Sequence, residues 1–236
     1  MRCPSCHQDH IVKNGIQAKN NKQKYLCKDC GRQFVLEPEK QKISDFLIAL
    51  IDLLLLERIS LAGICRAVGV SERWLQYYVN DKYATIERGL TFSGKSQGEL
   101  ILECDELWSF VGKRKEKQWV WLALDKHTRE IVGVYIGDRS REGAQELWNS
   151  IPKEYRENAM FFTDFWEAYN AVFPQKRHVA VGKETGKTNH IERFNNTLRQ
   201  RVSRLVRKSL SFSKKLTNHI GAIWYFIHHY NASLQI

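Results

Sequence analysis

Four cysteines near the N-terminus constrain this chain more than any other feature: Cys3-Pro-Ser-Cys6 and Cys27-Lys-Asp-Cys30. The two C-x-x-C knuckles stand 20 residues apart, the spacing of a zinc ribbon. Each knuckle turns two thiolates to one side, and two knuckles complete a tetrahedral S₄ shell. The expectation is one structural zinc ion held by Cys3, Cys6, Cys27 and Cys30 in a ribbon over residues 1–36. Cys65 and Cys104 sit in apolar sequence and read as small core residues.

The charge bears on what such a module accompanies. The net charge is +11, with +4 in residues 1–40, +1 in 41–98, −2 in 99–182 and +8 in 183–236. From Arg193 to Lys215 there are eight basic residues and no acidic one. A solvated helix face mixes signs, so a one-sign run points to a polyanion, and phosphates are the commonest. Arg193, Arg201, Arg204, Arg207 and Lys208 are the candidate phosphate contacts, on a long helix read from Thr188 through Lys215. A hydrophobic content of 43% with seven Trp and eleven Phe excludes a disordered chain. The first residues do not read as a signal peptide, and the most apolar stretch, Phe46 to Leu56, is too short for a membrane span and contains Asp52. The expected location is the cytoplasm, on the nucleoid when bound to DNA.

After a linker around Pro38, apolar residues at three- and four-residue steps from Ile43 to Leu54 predict an amphipathic helix, either plain core or an interface. Ser60 to Val79 has the grammar of a helix-turn-helix. Ser60 caps a helix through Val68, Gly69 makes the turn and Ser71 caps the second helix. Leu75, Tyr78 and Val79 form an inward stripe, leaving Arg73, Gln76, Tyr77 and Asn80 outward. Arg73, Gln76 and Asn80 are of the types that read base edges in a major groove. This DNA-binding segment spans 37–92, and the Gly- and Ser-rich stretch Gly89 to Gly98 closes it.

Periodicity then changes. Glu99 to Asp105, Gln118 to Leu124 and Glu130 to Ile136 read as three strands of an antiparallel meander. Helix, short strand (Met160 to Thr163), helix, fifth strand (Arg177 to Val181) and a late helix follow. That order predicts an α/β ribonuclease-H-like domain over 99–236, a mixed five-stranded sheet with helices.

Two-metal phosphoryl transfer needs carboxylates converging on one point. Asp105 lies towards the end of the first strand, Asp164 directly follows the fourth, and Glu192 is the only acidic residue after Glu184. Glu103, Glu106, Asp125 and Asp138 compete. Strand alternation turns Glu106 to the face opposite Asp105, Glu103 lies one step deeper, and Asp125 and Asp138 suit turns.

The order ribbon, helix-turn-helix, Asp-Glu-Leu-Trp-Ser-Phe-Val at 105–111, Thr-Asp-x-x-x-x-Tyr at 163–169 and Ile-Glu-Arg-Phe-Asn at 191–195 resembles the insertion-sequence-one family of DDE transposases. The basic tail from Arg201 to Lys214 is also similar. The resemblance implies a catalytic triad of Asp105, Asp164 and Glu192 holding two Mg²⁺ or Mn²⁺ ions. Arg199 occupies the basic position seven residues after the glutamate. It further implies double-stranded DNA, both element ends and target, as partner, and a homodimer or larger synaptic assembly. The alternatives are a DNA-binding regulator with an inert catalytic domain and a structure-specific nuclease without joining activity.

Overall fold

A computed structural model describes residues 1–18, 21–36, 43–93, 98–205 and 212–234. The linker around Pro38, part of the Gly89 to Gly98 boundary, and Arg207 and Lys208 lie outside the described residues. The chain divides into two compact units, Met1–Ile48 and Ala49–Ile236.

The first unit holds a three-stranded antiparallel sheet of β1 (Ile11–Gln17), β2 (Lys22–Cys27) and β3 (Gln33–Val35), in that order. β2 ends on Cys27, so the second knuckle follows the strand directly. The two knuckles are the same turn made twice. His7 and Gly31, each four residues after the first cysteine of its pair, take left-handed φ values of 61° and 72°. Their N–H groups donate back to the carbonyls of Cys3 and Cys27 at 3.0 and 2.9 Å.

Three helices precede the large sheet: α1 (Asp45–Leu54), α2 (Leu61–Val68) and α3 (Glu72–Thr85). The helix-turn-helix signals act as their chemistry dictates. Ser60 Oγ accepts from the Gly63 N–H at 3.1 Å and Ser71 Oγ from the Trp74 N–H at 3.3 Å. Gly69 between them has φ 73°. Leu75, Val79 and Tyr83 are the buried stripe of α3. Tyr78 is half-buried, its hydroxyl donating to Asp52 at 2.6 Å.

The large sheet is built from β4 (Ile101–Phe110), β5 (Lys117–Asp125), β6 (Ile131–Gly137), β7 (Met160–Thr163) and β8 (His178–Ala180). α4 (Arg141–Ser150) and α5 (Lys153–Asn158) lie between β6 and β7, and α6 (Glu167–Val172) between β7 and β8. α7 (Asn189–Arg201) and α8 (Leu216–Ser233) complete the chain. The strand order is β6-β5-β4-β7-β8. β4, β5 and β6 pair antiparallel, while β4 with β7 and β7 with β8 pair parallel. This is the mixed five-stranded sheet expected from the order of elements.

Helices cover both faces. Leu107, Val120 and Leu122 belong to one buried cluster with residues of α1, α2, α3, α7 and α8. Leu102, Cys104, Trp121 and Ala123 belong to the other, with α4, α5 and α6. Cys65 and Cys104 are buried core residues, as read. α8 is the central post, with ten of its 18 residues buried. Its Gly221 lets α3 approach: a Cβ there would stand 2.4 Å from the Tyr83 Cβ and 2.5 Å from the Tyr83 carbonyl oxygen. No described helix is long and apolar enough to cross a membrane.

One expectation is corrected. The helix from Thr188 does not run to Lys215; α7 ends at Arg201. Val202 leaves the helix in an extended conformation, and both it and Leu205 turn into the core. Further on, Ser213 pairs with Val111 at the end of β4. Burying two apolar residues and satisfying a strand end outweigh the modest helix propensity of this polar run.

Candidate active site

β4 is longer than its partner β7. Their pairing ends at Glu103 opposite Phe162, while β4 continues to Phe110. Beyond that point one edge of β4 is uncovered by β7, and Asp164, the residue after β7, stands beside it. A cavity of about 370 Å³ opens there. Asp105, Asp164, Glu192 and Arg199 all line it. The four residues come from β4, the end of β7, and α7, so only the tertiary fold unites them.

Each side chain is held. Asp164 Oδ1 accepts from the Trp166 N–H at 2.9 Å, which closes the turn into α6. Asn195 Nδ2 donates to Asp105 Oδ2 at 2.7 Å. Thr188 Oγ1 donates to Glu192 Oε1 at 3.1 Å, tethering the acid within the first turn of α7. Asn196 and Arg199 share the cavity-facing side of that helix with Glu192.

The structure adds a residue that alternation had set aside. Carboxylate oxygens of Asp105, Glu106 and Asp164 lie within 4.8 Å of one another. Glu106 does point to the opposite face, where Tyr169 donates to it at 2.8 Å and Arg139 Nε at 2.7 Å. The uncovered strand edge nonetheless lets both faces reach one cavity. The Arg139 guanidinium stands 4.6 Å from the Trp119 ring centroid and 4.1 Å from that of Trp166. No local pattern marks such a clamp, because its members are spread from Glu106 to Tyr169.

Crowded acids shift one another. Burial, then the Glu106 and Asp164 charges, push the Asp105 carboxyl up to about 7. Burial and the Asp164 charge raise Glu106 as well. An all-oxygen donor set whose members repel in the absence of a cation suits a hard divalent ion.

The competing acids have structural posts. Glu103 is fully buried and accepts from the His190 and Ile191 N–H groups at 2.9 and 3.1 Å and pairs with His190 Nδ1 at 2.6 Å. It therefore caps the start of α7 from the strand below. Asp125 closes a turn by accepting from the His127 and Thr128 N–H groups and receives the Tyr155 hydroxyl at 2.8 Å. Asp138 accepts from the Ser140 hydroxyl at the head of α4.

The four knuckle cysteines also converge. Their sulfurs all lie within 4.8 Å of one another, with Cys3 Sγ 3.6 Å from Cys30 Sγ and Cys6 Sγ 3.5 Å from Cys27 Sγ. Tetrahedral Zn–S bonds of about 2.3 Å require sulfur separations of about 3.8 Å, so the thiols fit that ion.

The candidate DNA contacts divide. Arg73, Gln76 and Tyr77 are exposed on α3, and Arg193 is exposed on α7. Asn80 is half-buried, its side-chain oxygen accepting from Asn218 and from Gln76, both at 2.7 Å. Arg201 pairs with Glu57 at 2.6 Å. Arg204 is turned inward, where its charge acts on Tyr83 and His219.

A sequence profile described as IS1 transposase matches residues 99–231, which include every residue of the cavity. The chain belongs to the IS1 transposase family. Its relatives include the Insertion element iso-IS1n protein InsB of Shigella dysenteriae, 36% identical over 130 residues, or 54% of this chain and 94% of that protein. The Insertion element IS1 protein InsB of Shigella flexneri is 34% identical over 125 residues, 53% of this chain and 92% of that one. A chain in the cryo-EM structure of simian T-cell lymphotropic virus intasome in complex with PP2A regulatory subunit B56 gamma aligns at 13% identity and a TM-score of 0.39. That alignment covers 70% of this chain and 64% of the other, a likeness too slight to bear on function.

Proposed function

We propose that this member of the IS1 family is a DDE transposase that binds the terminal inverted repeats of its own mobile element and catalyses metal-dependent strand cleavage and strand transfer. The observation that carries the reading is that Asp105, Asp164, Glu192 and Arg199 line one cavity of a chain with this membership, where the Asp105 and Asp164 carboxylates converge with that of Glu106 and Glu192 faces in from α7. Asp105, Asp164 and Glu192 would hold two Mg²⁺ or Mn²⁺ ions. Such ions, when bound, activate an attacking oxygen and stabilise the leaving one. The chain's own groups prepare that event. Asn195 orients Asp105, Thr188 steadies Glu192, and Arg199 presents its charge to a phosphate. Arg139 and Tyr169 neutralise and hold Glu106.

The boundaries proposed are a ribbon at 1–36, a helix-turn-helix segment at 37–92 and the catalytic domain at 99–236. Cys3, Cys6, Cys27 and Cys30 would hold one zinc ion that folds the ribbon. Arg73 and Gln76 would read base edges, and Arg193 would bind phosphate. Joining two element ends to a target calls for a homodimer or larger assembly, acting in the cytoplasm on nucleoid DNA.

The test is cleavage of a labelled element end, and its joining to target DNA, with magnesium. Asp105→Asn, Asp164→Asn and Glu192→Gln should each lower both activities by orders of magnitude while DNA binding persists. An active variant removes that residue from the site. Cleavage without joining would leave a nuclease, and binding without cleavage a regulator.

A further inference from the structure

The β4–β5 hairpin carries a charge cluster outside the site just described. Lys113, Arg114 and Lys115 form its tip, and all three are exposed. The tip is a shaped turn. Gly112 takes φ 72°, the Val111 N–H donates to the Glu116 carbonyl at 3.1 Å, and the Glu116 N–H donates to the Lys113 carbonyl at 2.8 Å.

A second basic segment, distant in sequence, is fastened beside it. The Gly112 N–H donates to the Ser213 carbonyl at 2.8 Å, Val111 pairs with Ser213, and the Phe110 and Phe212 rings lie 5.0 Å apart. Lys214 and Lys215 follow at once and are exposed. Among the described residues, none of these five cations takes part in an ion pair. Two chain segments thus place five cations at one edge, against the single acid Glu116.

We infer that this edge is a second DNA-contact surface, which grips the phosphate backbone of duplex DNA leading away from the active site. Position supports that occupant. Val111, the residue after β4, is six residues beyond Asp105, about 20 Å at ~3.3 Å per residue. The cluster therefore lies about six base pairs from the cavity at ~3.4 Å per base pair, within reach of the same duplex. The inference rests on the reading that the substrate is duplex DNA.

The test compares salt dependence of binding by the full chain to a 30-base-pair duplex of arbitrary sequence, about 100 Å long at ~3.4 Å per base pair and so long enough to cover both sites. The triple variant K113Q/R114Q/K115Q should lower the magnitude of the slope of log K against log salt by about two to three, since each lost phosphate contact removes ~0.9. K214Q/K215Q should lower it by about one to two. The control K126Q/K153Q/K176Q changes lysines just after β5, at the start of α5 and just before β8, and should leave the slope unaltered. All these variants should keep the wild-type melting temperature. An unchanged slope in the hairpin triple, or an equal loss in the control, overturns the inference. If the unaltered protein shows no salt-dependent binding at all, the transposase reading itself fails first.

Discussion

Asn195 donates to Asp105 across 2.7 Å, and two residues earlier on the same strand face Glu103 accepts from the N–H groups of His190 and Ile191. Two carboxylates at i and i+2 of β4 thus clasp α7 at two points about one helical turn apart. The strand step of ~6.6 Å and the helical turn of ~5.4 Å nearly match. This clasp sets the register of the helix that carries Glu192.

Removing the clasp should therefore act on stability before chemistry. Glu103→Ala leaves two backbone donors and the His190 ring without their buried acceptor, and should cost on the order of 3 kcal/mol. Glu192→Gln should cost almost nothing in stability while abolishing cleavage. Denaturant unfolding of both variants beside the cleavage assay separates the two roles. Equal stability loss in both would refute the division.

Asp105→Asn should show the opposite pattern, an inactive protein that is more stable. Burial and neighbouring acids raise the folded-state pKa from 3.8 to about 7. A raised carboxylate pKa costs nothing below the unfolded value, and the cost grows with pH until it is complete above about 7. The asparagine escapes that cost and still accepts from Asn195. Its gain in unfolding free energy in EDTA, read from denaturant titrations, should rise between pH 4 and pH 8, reaching a few kcal/mol at ~1.4 kcal/mol per pKa unit. A flat difference across that range would count against the crowded-acid picture.

Zinc removal should be local. Cys27→Ser, or a strong chelator, should unfold the ribbon because the ion supplies its folding energy. Residues 49–236 form their own compact unit and should keep their melting transition. Elemental analysis together with limited proteolysis would show both effects, and a zinc content of zero in untreated protein would end the proposal.

Arg73→Ala and Gln76→Ala should weaken binding to element ends by about 5- to 150-fold each, at ~1–3 kcal/mol per good base contact. Affinity for unrelated duplex should barely change, because base contacts specify and phosphate contacts position. Equal losses on both DNAs would show that α3 does not read sequence.

Gly221→Ala probes the contact between α3 and α8. A Cβ would meet the Tyr83 backbone oxygen at 2.5 Å, and backbone cannot step aside as a flexible side chain does. Overpacking of this kind costs about 1–3 kcal/mol, measurable as a lowered denaturation midpoint. No loss would mean that the two helices separate without cost.

What the sequence determined by itself was whatever depends on neighbours along the chain. The knuckle spacing, the Ser60 and Ser71 caps, the Gly69 turn and the period-two strands are local, and each folds as its chemistry demands. Asp164 just after a strand and Glu192 in the first turn of a helix were legible for the same reason, whereas Asp105, expected near a strand end, lies in the middle of β4, which runs on to Phe110 through its pairing with β5. Contacts between distant segments decided the rest. Glu106 reaches the cavity only because β7 stops pairing opposite Glu103 and uncovers the strand edge. α7 ends at Arg201, and the chain beyond it turns Val202 and Leu205 into the core and pairs Ser213 with Val111. Asn80 is committed to Asn218, a residue 138 positions away. Strand length, helix termination and polar pairing in these places are set by burial and hydrogen-bond satisfaction between segments, and no local pattern encodes where those segments meet.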